Sequence, residues 1–444
     1  MRTLMAAFIV AAMVLVPFGL AGTTSAAGTG RNLTTVVYGP VPTDRFGGGD
    51  LIAVKAGDAL FGVRYGTTAR LNDIVIFAEY KRFLGGADVV DAQGNHLTTR
   101  GIPVYTVFAQ SLSGFIEFRQ LNASEGFDLS VFDPTHILPI PLTRNVPVKG
   151  LPLTAAWTLS GLKNETVNGV TNVTFTVTAT NLTYLHVASN TSVGDGMLNK
   201  VAFTFHLNVD THDKSAAVPW YRVTVDTLRH TEIRSVEFLG LRTVSGPAIS
   251  MGAKYDHLIE GWDFAYADDK LALETRLIFG NFIPERTALF IHDAFPEEHA
   301  ADDANRTVPT STSLNSTVPT RPQLYTRDSV YFADRFTRIG RFQWASNVTV
   351  DGRPAQMTFN IQGGSRLALV HGGAYFVGIS LRGAFVYPAG TLIVHDPVMS
   401  AESLVDLPSN VNLTPVTILA AQLAVVGLAM GPALYLRAKA RRKD

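Results

Sequence analysis

The sequence contains no cysteine in 444 residues. That excludes disulfides, thiolate nucleophiles, zinc–thiolate sites and iron–sulfur clusters, and it leaves the core to hold the fold together. Net charge is missing as well, since 37 Lys and Arg balance 37 Asp and Glu. Five of those bases (Arg437, Lys439, Arg441, Arg442, Lys443) crowd the last eight residues against Asp444 alone. Discounting them and Arg2 leaves the rest of the chain about five charges negative, which argues against nucleic acid or an anionic membrane surface as partner. Catalytic signatures are absent too: there is no HExxH, GxSxG, P-loop or GxGxxG pattern. Gly47, Gly48 and Gly49 have no following Lys-Ser/Thr and read as a plain loop. No cofactor is expected.

Long apolar runs occur only near the two ends. Val416 to Leu436 carries no charge. At about 1.5 Å per residue it makes a helix of roughly 32 Å, enough to cross a bilayer core of about 30 Å. The basic residues 437–444 that follow mark a cytoplasmic tail, too short for a domain of its own. Residues 1–27 read as a signal peptide: Arg2, an apolar stretch broken by Pro17 and Gly19, then small residues around Ala26 and Ala27. An uncleaved leader would give two spans instead. Cleavage predicts a single-span protein at the cell membrane, with its ectodomain outside. Within the span, Gly427 and Gly431 form GxxxG, a small-residue face through which two helices can approach and self-associate.

Ten Asn-x-Ser/Thr sequons are present, at Asn32, Asn122, Asn164, Asn172, Asn181, Asn190, Asn305, Asn315, Asn347 and Asn412. Asn412 is the least suitable, because Pro415 follows closely and the apolar run begins at once. So many acceptors predict a glycosylated exterior. Without any cysteine, the combination suits an archaeal-like envelope protein.

Between the two ends the patterns are β. Val173, Phe175, Val177 and Ala179 alternate with threonines, and Val201, Phe203, Phe205, Leu207 and Val209 alternate with mostly polar residues. Period two over such lengths predicts antiparallel strands with one wet face. The stretch 89–97, with Asp91, Gly94 and Asn95, predicts a hairpin. Residues 257–266 and 271–282 predict another, turning at 267–270. Residues 74–83 suit a strand but also a helical face. Pro134, Pro139, Pro141, Pro147 and Pro152 suggest a connection between domains. The expected organisation is all-β: a domain at 28–148, a β-rich region at 149–405 forming one large or two smaller sandwich-like domains, a connector at 406–415 and the span at 416–436. Residues 296–322, rich in Ser, Thr and Pro after an acidic start, read as a solvated, glycan-bearing loop.

Candidate chemistry concentrates at 257–274. His257, Trp262 and Tyr266 beside Glu260, Asp263 and Glu274 combine aromatic rings with carboxylates, as carbohydrate binding or hydrolysis requires. The competing reading makes Trp262, Phe264 and Tyr266 core, and Asp268–Asp269 a solvated turn. His395-Asp396 and His292-Asp293 are adjacent pairs, but strand neighbours face opposite ways. Asp293, Glu297, Glu298, His299, Asp302 and Asp303 read as a solvated acidic loop, not a metal site. The leading functional expectation is a non-enzymatic, N-glycosylated cell-surface protein for envelope structure, adhesion or binding of a glycan or protein ligand. The alternatives are a membrane-tethered carbohydrate-active hydrolase and an accessory subunit of a membrane complex.

Overall fold

The computed structural model describes residues 23–25, 34–41, 49–57, 59–67, 74–120, 145–185, 192–226, 232–284, 321–325, 329–333, 338–371 and 374–404. The leader apart from Thr23–Ser25, the connector, the 416–436 run, the basic tail and the 296–320 part of the solvated loop lie outside them. So do Asn32, Asn122, Asn190, Asn305, Asn315 and Asn412, together with Gly427, Gly431, His292 and Asp293. Among the described residues no helix is long and apolar enough to cross a membrane.

The described chain is all β. In order it forms β1 (Thr23–Ser25), β2 (Thr34–Val41), β3 (Gly49–Ala56), β4 (Ala59–Gly66), β5 (Ile74–Val90), β6 (His96–Gln120) and β7 (Asn145–Pro152). Then come β8 (Thr158–Val167), β9 (Val170–Leu185), β10 (Ser192–Asp226), β11 (Glu232–Glu260) and β12 (Lys270–Pro284). The last group is β13 (Arg321–Tyr325), β14 (Ser329–Ala333), β15 (Arg338–Gln343), β16 (Asn347–Val350), β17 (Arg353–Gln356), β18 (Thr358–His371), β19 (Ala374–Pro388), β20 (Leu392–His395) and β21 (Val398–Leu404).

Hydrogen bonding joins all of these into one sheet, antiparallel everywhere except between β5 and β10. One layer runs β2-β3-β4-β5-β6-β12-β19-β18. The other runs β8-β9-β10-β11, with β20 and β21 end to end along the far edge of β11. A single core lies between the layers and draws on residues from Val36 to Ala401, so strands on both sides of residue 148 share it. Contacts cross the gap directly. Gln110 of β6 donates to the Tyr255 hydroxyl of β11 at 2.7 Å, and Phe385 of β19 packs on His257 of β11.

Alternation decides which face turns inward. Val173, Phe175, Val177 and Ala179, and Val201, Phe203, Phe205, Leu207 and Val209, are all buried in this core. Their polar neighbours form cross-strand rungs on the outer face, Thr176 with Thr204 at 2.9 Å and Asn208 with Asn172 at 2.9 Å. Residues 74–83 of β5 are buried on both faces, which is why they show no clean period. The 89–97 hairpin forms as expected: Asp91 Oδ1 accepts from the backbone N–H groups of Gln93 and Asn95, and Gly94 takes φ 86°.

The second expected hairpin does not form. β11 and β12 are not paired. β11 sits between β10 and the β20/β21 edge, whereas β12 inserts between β6 and β19 in the other layer. Residues 261–269 therefore cross from one layer to the other as an irregular loop.

Candidate functional site

The crossing loop is where the candidate residues meet, and its anchor is Glu117. Up to Leu112 the core face of β6 carries even-numbered residues such as Gln110. A bulge at Ser113 shifts the register, so that Phe115 and Glu117 turn inward. A carboxylate carried into the core must find donors. Glu117 finds three on or beside the loop. Trp262 Nε1–H donates to Oε2 at 2.7 Å, the Ala265 backbone N–H donates to Oε1 at 2.7 Å, and Lys149 Nζ lies 3.5 Å from Oε2. Lys149, carried in by β7, also donates to the Asp263 carbonyl and sits over the Tyr184 ring at 4.3 Å. The Tyr184 hydroxyl accepts from the Asp263 N–H at 3.2 Å, and its ring meets Trp262 edge-on at 5.0 Å.

At the loop's other end Arg119 Nε donates to Asp269 Oδ1 at 3.1 Å, and the same guanidinium stacks on the Tyr266 ring at 3.3 Å. Burial pushes the Glu117 carboxyl up, and the neighbouring Asp269 carboxyl adds to this. The Ala265 N–H, Trp262 and Lys149 pull the other way without cancelling it. Burial also pushes the Tyr184 phenol up to about 12.

The candidates thus separate. Trp262 is core, only 2% exposed, and Phe264 packs partly against the core. Tyr266 is not core: 55% of it is exposed. Of the two turn acids Asp268 is exposed, but Asp269 is fully buried, contrary to the solvated turn expected of both. The reason is Arg119, whose charge meets it from β6. Glu260 ends β11 exposed on the outer face of its layer, and Asp263 is exposed in the loop. Because the strand stops at Glu260, Trp262, Phe264 and Tyr266 do not continue its alternation. Glu274 lies on β12 between Leu273 and Thr275, which turn inward, so it faces the outer side of the other layer. It does not join Glu260 and Asp263 across a groove.

His257 lies away from the loop, in the core. Its neighbours fix the protonation pattern. His395 Nε2 must donate to the Ala345 carbonyl at 2.7 Å, so neutral His395 accepts at Nδ1 from the Tyr387 hydroxyl at 3.1 Å. Tyr387 then accepts from His257 Nε2–H at 2.7 Å, leaving His257 Nδ1 as a buried acceptor without a donor. Burial and the facing His395 hold His257 well below the usual imidazole range, and burial holds His395 down to about 4. Asp396 faces the opposite side and pairs with Lys254 at 3.2 Å, as strand alternation requires.

Among the described residues no three His, Asp or Glu side chains gather as a metal site. The sequence reading missed Glu117, Lys149, Tyr184 and Arg119. One signal was available: Phe115, Ile116 and Phe118 make both faces of that strand apolar, so a glutamate among them requires a buried partner. The identity of that partner, far along the chain, was not available. Comparison with known proteins gives no matching family model, curated protein or solved structure.

Proposed function

We propose that this chain is an N-glycosylated cell-surface protein of sandwich-like β architecture, held by one span at 416–436, which uses the 261–269 loop for adhesion or ligand capture. The reading is non-enzymatic. The observation that carries it is the polarity of the fold. β21 pairs with β11 from Lys254 back to Ala248 and so runs away from Glu260. The described chain therefore leaves β11 in the direction of Glu232, opposite to the loop that follows Glu260.

The loop suits recognition better than chemistry. Its buried charges, Glu117, Lys149 and Asp269, are consumed in holding it. What it offers to solvent is Tyr266, Asp263 and Asp268 on a pinned backbone. A preorganised aromatic surface binds with little ordering cost. The sequons at Asn164, Asn181 and Asn347 are exposed and the one at Asn172 is half-buried on the outer face, which supports a glycosylated exterior.

The test is sidedness on intact cells. An epitope inserted at Asp268 should be reached by antibody without permeabilisation, and one added after Asp444 only with it. Equal access to both would defeat the reading.

A further inference from the structure

Beyond the shared core, β5, β6, β10 and β11 continue as a four-stranded arm. The parallel pairing of Gly86–Val90 with Trp220–Thr224 joins two hairpins in the order β6-β5-β10-β11. One face is apolar: Ala87, Tyr221 and Val223 pack together, with Val236 against them. On this same face Phe238, opposite Tyr221, and Leu241, opposite Pro219, are 50% and 54% exposed. The other face carries the ion pairs Arg222–Glu237 at 2.8 Å and Arg242–Asp88 at 3.1 Å, and there Arg242 covers the Trp220 ring of a second small apolar cluster that includes Val218 and Phe83.

The arm lies on the side toward which β21 leads. At the last β21 pairing, Leu404 with Ala248, β11 still has sixteen residues to run back to Glu232. At about 3.3 Å per residue that is roughly 50 Å of strand. From Leu404 to Val416 the chain has twelve steps, which reach about 40 Å when fully extended. The tether is therefore shorter than the arm beside it.

We propose that the arm lies against the lipid surface of the membrane that holds residues 416–436, with Phe238 and Leu241 entering the interface and the Arg222–Glu237 and Arg242–Asp88 face turned to water. This rests on the anchor reading given above. An element with one apolar and one charged face is the form in which protein settles at a bilayer boundary, and aromatic residues favour that depth. It would make the ectodomain a braced body instead of one swinging on a flexible stalk, with the 261–269 loop directed outward.

The absence of cysteine makes the test direct. Leu241→Cys, Arg222→Cys and Tyr266→Cys, each in the full chain and labelled with an environment-sensitive fluorophore, are reconstituted into phosphatidylcholine vesicles with and without nitroxide-bearing lipid. The expected result is a blue-shifted emission at position 241 that nitroxide lipid quenches, with less quenching at 222 and none at 266. Protein that floats with vesicles after an alkaline wash but shows no quenching at 241 overturns the arm and leaves the anchor standing. Failure to float overturns both. A blue shift at 241 that persists in detergent, together with a cross-linked dimer, assigns the face to a second copy and also overturns the lipid proposal.

Discussion

Glu117 and the two core histidines carry the clearest consequences at the scale of single residues. Glu117→Ala removes the acceptor for Trp262 and Ala265 and leaves the buried Lys149 without its carboxylate. Stranding one member of a buried pair costs about 3–5 kcal/mol. Urea denaturation should show a loss of that order; a loss below about 1 kcal/mol would mean the loop is not closed by this residue. The histidines set the acid limb of stability. Both are held neutral in the folded chain, below the ordinary imidazole value of 6.5. The unfolded chain therefore takes up protons first as pH falls. Their contribution is complete above about pH 6.5 and is lost from there down toward the folded values, near pH 4 for His395. That gap corresponds to about 3 kcal/mol for His395. Glu117 has the opposite sign: its raised folded value gives stability that is present below the ordinary glutamate value of 4.5 and is lost as pH rises through the folded value. Urea midpoints measured between pH 7 and pH 4 should fall steeply in the native chain. They should fall less steeply in His257→Phe, and an unchanged slope would exclude His257 as a source.

At the scale of elements, the parallel pairing of β5 with β10 depends on a missing side chain. The Trp220 indole lies on Gly86, where a Cβ would run into the ring, and Arg242 covers the indole at 4.6 Å. Gly86→Ala should push the two hairpins of the arm apart, at about 1–3 kcal/mol by analogy with overpacked cores. Hydrogen exchange should rise across 216–226 while the 201–209 segment stays protected; unchanged exchange in both would refute the account. The crossing loop follows the same logic with the opposite sign. A hairpin at 267–270 is locally plausible, with aspartates in the turn and alternating residues before it. It is overridden because Trp262, Asp269 and the Ala265 N–H find partners on β6, about 150 positions earlier in the chain.

For the molecule as a whole, the four described sequons lie on one layer: Asn164 on β8, Asn172 and Asn181 on β9, and Asn347 on β16. Asn181 adopts φ 54°, a left-handed conformation that asparagine tolerates better than most residues. Replacing it would mix strain with loss of the glycan, so Thr183→Ala is the cleaner removal. Glycopeptide mass spectrometry should find Asn164, Asn181 and Asn347 occupied. Thr183→Ala should lose one glycan with stability unchanged to about 0.5 kcal/mol. Bare peptides at all three sites would count against an exterior location for this layer.

The sequence by itself determined what depends on neighbours in the chain. The period-two runs of β9 and β10 name their own buried residues, because alternation is a property of the extended backbone. The Asp91–Asn95 turn closes through hydrogen bonds spanning four residues or fewer. The separation of His395 from Asp396 follows from the same alternation. Tertiary structure alone decided which strands pair across long separations. It placed β12 in the opposite layer from β11, put Glu274 on a different side from Glu260, and sent His257 into the core beside Tyr387. It also turned an exposed-looking loop into one pinned from beneath. The physical reason is the same in each case. Burying a charge or an imidazole is tolerated only where partners converge, and those partners are brought together by the closing of the sheet, not by their order along the chain.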